Sequence, residues 1–117
     1  MSLNKDSDQV RPLKRFAFML RLREGAAEAY EQAHRDVWPE MIAMLREGGI
    51  TEYSIFRRDN LLFLTFKAVD FEATWSQFDR HPVNLRWQAA MAPLFAPNED
   101  LQPGERFPMM EEVFYLP

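Results

Sequence analysis

Residues 50–69, ITEYSIFRRDNLLFLTFKAV, decide how the rest of the chain is interpreted. They contain two runs, 50–58 and 61–69, that are rich in the aliphatic and aromatic residues typical of β-strands. Only Asp59 and Asn60 separate the two runs. A two-residue polar connection favours a tight hairpin, so the sequence predicts a pair of antiparallel strands in the middle of the chain.

A strand and a helical segment are predicted before the hairpin. Residues 14–22, KRFAFMLRL, alternate with a period of two, which indicates a strand. Residues 26–47 have a helical pattern, and a pair of glycines beginning at Gly48 ends it. Pro39 lies inside this span, and an internal proline kinks or divides a helix. We therefore expect a bend near Trp38.

The sequence after the hairpin predicts a second helical layer and a last strand. Residues 71–80 and 83–95 have helical patterns, and His81 with the proline that follows it interrupts them. Residues 96–109 are rich in proline and are expected to form a loop. The final stretch, EEVFYLP at 111–117, is predicted as a short terminal strand.

The order β-α-β-β-α-β predicts a ferredoxin-like α+β fold. In this fold both helical layers cover one face of a four-stranded antiparallel sheet. Because apolar residues point to both sides of the strands, we expect a second copy to cover the other face, giving a homodimer in the form of a dimeric α/β barrel. Residues 14–117 are predicted to form one domain, preceded by a flexible polar segment at 1–13.

Composition excludes several functions. The 117 residues carry a formal charge of −4 with no Lys/Arg cluster, so nucleic acid is not expected as a partner. No run of eighteen apolar residues occurs, so no membrane span is predicted. The absence of cysteine suits a cytoplasmic location. Neither paired histidines for a metal nor a glycine-rich phosphate loop is present, so neither a metal site nor a phosphate-binding loop is predicted.

The segment YEQAHRDVWPE at 30–40 carries the candidate catalytic residue. Tyr30, His34 and Trp38 are spaced by four, which predicts one shared helical face. A lone helical histidine is usually a partly buried ring, but the phenol and polar neighbours here favour a wet, aromatic-walled pocket. An imidazole with a pKa of about 6.5 gives and takes a proton at neutral pH, as an acid–base catalyst must. His81, before a proline, fits a capping or loop role.

Four further residues are candidates for contacts with a ligand. By alternation, Tyr53 shares a face of its strand with Thr51 and Ile55, where it is either a core or interface residue or part of a site. Trp87 fits ordinary packing, but its flat ring also suits the C–H face of a sugar. Beside such a pocket, Arg86 or Gln88 could hydrogen bond to sugar hydroxyls.

Four motifs together resemble the L-rhamnose mutarotase family, and the resemblance covers about residues 14–117. They are AYEQAHRDVWPEM (29–41), ITEYSIF (50–56), HPVNLRW (81–87) and EEVFYLP (111–117). The resemblance implies a small cytoplasmic isomerase that interconverts the α and β anomers of a 6-deoxy-hexose. It also implies that the enzyme needs no cofactor and works as a homodimer of ferredoxin-like subunits.

The resemblance also implies roles for individual residues. His34 matches the acid/base histidine of the family, Tyr30 and Tyr53 match its substrate-contacting tyrosines, and Trp87 matches the first of two adjacent tryptophans. Gln88 stands where close relatives have the second tryptophan. The loop APNEDLQPGERFP (96–108) stands where many have Asn-Pro-Asp. L-Rhamnose is therefore the expected substrate and L-fucose, which differs at C2 and C4, the alternative.

Three other functions are compatible with the same residues. The first is a cofactor-free monooxygenase or decarboxylase on the same dimeric scaffold. The second is a non-catalytic module that binds a small metabolite, in which His34 would be dispensable. The third is an interaction protein whose aromatic stripe is an interface.

Overall fold

A computed structural model describes residues 11–117, so residues 1–10 of the predicted flexible segment lie outside the described part of the chain. Residues 11–13 precede the first strand and have no regular structure. The elements are β1 (Lys14–Arg21), α1 (Ala27–Arg35), α2 (Pro39–Glu47), β2 (Thr51–Arg58), β3 (Leu61–Ala68), α3 (Phe71–Phe78), α4 (Pro82–Met91), a 3₁₀ turn (Ala92–Leu94) and β4 (Met109–Met110).

The four strands form one antiparallel sheet in the order β2-β3-β1-β4. The predicted hairpin is correct, since β2 and β3 pair on either side of Asp59 and Asn60. Asp59 has a φ of +52°, a conformation that aspartate tolerates better than most residues. The strand order and the helices between the strands confirm the ferredoxin-like α+β fold.

The two faces of the sheet have different surroundings. The even-numbered residues of β3 are buried beneath the helices, where Phe66 is 0% exposed and packs against Trp75 of α3. The odd-numbered residues are only partly buried. There Phe63 pairs with Met19 of β1 and with Phe56 of β2, and side chains of paired residues lie on the same face. This second face, which we call the open face, is therefore apolar at its centre.

The predicted helix over 26–47 is divided into α1 and α2. The chain leaves the helical conformation at Asp36, and Trp38 is extended with φ −53° and ψ 133°. Pro39 is the first residue of α2, where it needs no N–H partner, and it disfavours a helical conformation in the residue before it. Trp38 therefore does not continue the helical face of Tyr30 and His34, and this part of the shared-face prediction is wrong.

The terminal strand predicted at 111–117 is also wrong. The last strand is Met109–Met110, which pairs with Phe18 and Ala17 of β1, and residues 111–117 are not in a strand. The segment after β4 is held by side chains instead of a backbone ladder. The Arg15 guanidinium donates to both carboxylate oxygens of Glu112, at 2.6 and 2.9 Å, and lies 3.3 Å from the ring centre of Tyr115.

Candidate active site

A cavity of about 560 Å³ lies between the helices and the helix-covered face of the sheet. Its size is in the range of pockets that hold small molecules. The five residues singled out from the sequence all line it, although they come from three separate parts of the chain: Tyr30, His34, Tyr53, Trp87 and Gln88. Folding therefore brings these five residues to one place, whereas Arg86, the other candidate for hydroxyl contacts, does not line the cavity.

The orientation of His34 is set by the helix that carries it. Its Nδ1 lies 2.8 Å from the backbone carbonyl oxygen of Tyr30, one turn earlier in α1. Because a carbonyl only accepts, Nδ1 must carry the proton and donate it. In the neutral imidazole, Nε2 then has the free lone pair. The local backbone thus selects the tautomer that can act as a base through Nε2.

Aromatic rings hold the imidazole from two sides. Tyr30 stacks on His34 with ring centres 4.1 Å apart, as the spacing of four along α1 predicts. Trp87 of α4 approaches His34 edge-on at 5.3 Å. Trp38 meets the same Trp87 ring at 5.1 Å, and Arg86 lies 5.7 Å over Trp38 while it pairs with Glu40. Trp38 thus packs against Trp87.

Burial shifts the titration of the three ionisable groups in the cavity. It lowers the pKa of the His34 imidazole below 6.5, and the hydrogen bond to the Tyr30 carbonyl opposes this shift. It raises the pKa of the Tyr30 phenol to about 12. It also raises the pKa of the Tyr53 phenol, and the nearby Tyr30 adds to that shift. At neutral pH the cavity therefore holds a neutral imidazole and two protonated phenols.

A β-bulge places Tyr53. The register of β2 shifts between Thr51, which pairs with Lys67, and Ser54, which pairs with Thr65. Glu52 in the bulge has a φ of +50°. Tyr53 consequently lines the cavity with Ile55, as predicted, while Thr51 lies on the open face, so the prediction that Tyr53 and Thr51 share a face is wrong.

Sequence reasoning missed two asparagines in the cavity wall. Asn98 comes from the loop after the 3₁₀ turn, and Asn84 comes from α4 and is buried. Asn84 precedes Trp87 by three residues and Gln88 by four, which places all three side chains on neighbouring positions of one helix. That spacing was the signal that could have found Asn84.

The other histidine has a structural role. His81 precedes α4, and its Nδ1 accepts a hydrogen bond of 3.2 Å from the backbone N–H of Val83. This confirms the predicted capping role, and His81 does not line the cavity. No group of three or more potential metal-binding side chains was found among residues 11–117. Within the same residues, no helix is long and apolar enough to cross a membrane.

Comparisons with known proteins agree on one family. A family model described as L-rhamnose mutarotase matches residues 15–116. A protein of Sinorhizobium fredii named L-rhamnose mutarotase is 34% identical over 93 residues, which are 78% of this chain and 88% of that protein. Proteins of the same name from Formosa agariphila and Escherichia coli are each 33% identical, over 89% and 88% of this chain and 99% and 98% of their own lengths.

The fold comparison points to the same family. The crystal structure of an L-rhamnose mutarotase from Formosa agariphila superposes with a TM-score of 0.71 and 29% sequence identity. The match covers 89% of this chain and 99% of that protein. From the family model, the relatives and this structure together, the chain belongs to the L-rhamnose mutarotase family.

Proposed function

We propose that this protein is an aldose mutarotase that interconverts the α and β anomers of L-rhamnose. The observation that carries the proposal is the state of His34. Its Nδ1 is hydrogen bonded to the backbone carbonyl of Tyr30, which leaves Nε2 free to accept a proton. Its imidazole lines a cavity large enough for a monosaccharide. The naming of the relatives from three organisms as L-rhamnose mutarotases supports the choice of sugar.

The reaction needs only proton transfers. The neutral imidazole takes the proton of the anomeric hydroxyl at Nε2 while the C1–O5 bond breaks and the ring oxygen gains a proton. The C1–C2 bond of the open-chain aldehyde then rotates. Reversing the same transfers closes the ring on the other face of the carbonyl.

The other cavity residues fit supporting roles in this reaction. Tyr30 and Tyr53 have raised pKa values, so both phenols keep their protons at neutral pH and either can donate to the ring oxygen. The indole of Trp87 offers a flat apolar surface to the C–H groups of the sugar. Gln88 offers an amide to a ring hydroxyl. The presence of this amide keeps L-fucose mutarotation as a second candidate, because L-fucose presents its C2 and C4 hydroxyls differently.

Polarimetry tests the proposed activity. A freshly dissolved single anomer of L-rhamnose changes its optical rotation until it reaches equilibrium. The enzyme is expected to speed this approach and to leave the final rotation unchanged, because a catalyst accelerates both directions equally. A rate equal to that of buffer alone would contradict the proposal.

The proposed mechanism predicts a pH dependence. As the base, His34 must be neutral, and burial lowers its pKa below 6.5. We expect kcat/KM to be level through neutral pH and to fall only below an apparent pKa that is itself under 6.5. The free energy of unfolding should also fall as the pH drops through 6.5, because the unfolded chain then binds more protons.

Two measurements separate these pH effects. The pH profile of kcat/KM tests the catalytic part, and a profile with an apparent pKa above 6.5 would contradict it. Urea unfolding of the wild type and of His34→Gln at pH 5 and pH 7.5 tests the stability part. The variant is expected to lose less stability than the wild type on acidification.

We also propose that the protein works as a homodimer. The open face has an apolar centre, and the segment after β4 leaves large apolar side chains in solvent, with Val113 90% exposed and Phe114 and Leu116 78% exposed. Monomeric proteins rarely expose contiguous apolar surface of this kind. A second copy placed open face to open face would cover both features.

Sedimentation analysis tests the dimer. We expect a particle of twice the 13.9 kDa mass of the chain at micromolar concentration. Phe63→Glu on the open face and Val113→Asp in the segment after β4 should each shift it towards the monomer, since each would bury a charge. Leu85→Glu, at an exposed leucine of α4, should not. A wild-type monomer would contradict the proposal.

A further inference from the structure

Asn84 is the only buried polar residue among residues 11–117 that is not aromatic, and it forms two successive amide hydrogen bonds at the cavity wall. Its Nδ2 donates to the backbone carbonyl oxygen of Phe78, at 3.0 Å. Its Oδ1 accepts from Nε2 of Gln88, one turn later in α4, at 3.3 Å. The last carbonyl of α3 is thereby connected to a residue of the candidate active site.

These two hydrogen bonds fix which end of each amide faces its partner. A backbone carbonyl only accepts, so the NH₂ group of Asn84 must face Phe78, and its oxygen must face Gln88. That oxygen in turn requires the NH₂ group of Gln88. The carbonyl oxygen Oε1 of Gln88 then takes no part in these hydrogen bonds and remains available as an acceptor.

We infer that Asn84 is a positioning residue that holds Gln88 with its carbonyl oxygen free for a ring hydroxyl of the sugar, and thereby determines which 6-deoxy-hexose epimer is preferred. The inference deepens the proposed function and rests on it. Gln88 follows Trp87, whose ring lies nearly perpendicular to that of His34 with ring centres 5.3 Å apart. With the anomeric end of the sugar at His34, a hydroxyl that takes no part in the reaction is placed to meet Gln88.

An amide held in one orientation can discriminate between sugar epimers, because its donor and acceptor atoms point in fixed directions. A fixed acceptor forms a hydrogen bond with the epimer whose hydroxyl points at it and loses this bond with the epimer that points the hydroxyl elsewhere; Asn84 is buried and Gln88 itself is exposed, so the discrimination is that of one hydrogen bond. A freely rotating glutamine would offer either its oxygen or its NH₂ group and would adapt to both epimers. Fixing Gln88 removes that adaptability.

The test compares kcat/KM for L-rhamnose, its C2 epimer 6-deoxy-L-glucose and its C4 epimer 6-deoxy-L-talose. We expect Asn84→Leu and Gln88→Met each to lower the preference for the best of these sugars over the worst by about tenfold, the value of one hydrogen bond. Because the two residues act through one bond, the double variant should lose no more than either single variant. Gln77→Met, at an exposed glutamine of α3, is the matched control.

The same experiment shows whether Asn84 only supports the fold and does not orient Gln88. Phe78 keeps its second hydrogen bond, from the N–H of His81 at 3.0 Å, so Asn84→Leu removes only part of this junction. If Asn84 only supported the fold, its replacement would lower the rate for all three sugars alike, and its effect would add to that of Gln88→Met. Either result would overturn the inference.

Failure of the proposed function would look different. In that case the wild type would catalyse no anomer exchange with any of the three sugars. The dissociation constants of the same sugars, measured by tryptophan fluorescence, would then be compared between the wild type and the variants. Loss of discrimination in both variants would still support the role of Asn84, whereas unchanged discrimination or no binding would overturn it.

Discussion

Replacing His34 with glutamine is expected to lower kcat for anomer exchange by about 10²–10⁴, the contribution of a positioned acid–base group. Glutamine keeps a polar side chain at this place in the cavity but cannot take a proton at neutral pH. The loss should therefore appear in kcat and leave the KM for L-rhamnose nearly unchanged. Polarimetry at pH 7 and at several sugar concentrations measures both constants.

The second histidine provides the matched control. His81 accepts a hydrogen bond from Val83 at the start of α4, and asparagine is a strong helix cap. His81→Asn should therefore keep both the fold and the wild-type rate. If instead His34→Gln retained kcat within a few-fold of wild type, the imidazole would not be the acid–base group, and the proposed mechanism would be wrong.

Replacing Phe66 with alanine is expected to reduce the free energy of unfolding by about 3–5 kcal/mol. Phe66 is 0% exposed at the centre of the helix-covered face of the sheet. Its ring centre lies within 5.0–6.1 Å of five others, those of Phe16, Phe18, Tyr53, Phe71 and Trp75. Close packing on all sides means that the cavity left by alanine cannot collapse easily.

Urea unfolding measures this loss, with Phe66→Leu as the graded comparison. Leucine keeps most of the apolar volume and should lose clearly less stability than alanine. Because Tyr53 packs on Phe66 at 5.4 Å and lines the cavity, Phe66→Ala should also reduce kcat/KM in the protein that remains folded. A loss of stability below 1 kcal/mol would show that the core is not organised around this ring.

Local sequence patterns predicted most of the helices and strands, because interactions between residues close in sequence decide where these elements begin and end. The two polar residues between two apolar runs predicted the β2–β3 hairpin, and Pro39 predicted the break near Trp38. The terminal segment failed for a different reason. The β-branched and aromatic residues of 111–117 indicate a preference for strand, but a strand forms only where a free sheet edge accepts it, and here Arg15 contacts the segment through side chains.

The site could be predicted from the sequence only in part. Tyr30 and His34 lie one helical turn apart, so their contact follows from spacing alone. Trp87 and Tyr53 reach the cavity through tertiary packing, and only the family resemblance associated them with His34. The bulge at Glu52 was not foreseeable, since glutamate is not among the residues that favour a positive φ.

Saturation transfer between the anomeric protons of L-rhamnose shows directly whether His34 catalyses anomer exchange. The H1 signal of the α anomer is saturated at equilibrium, and the intensity of the β H1 signal is followed with wild-type enzyme and with His34→Gln. We expect the β signal to weaken with the wild type, more for L-rhamnose than for L-fucose, and to recover with the variant. An undiminished β signal for both sugars, with folded wild-type protein present, would contradict it.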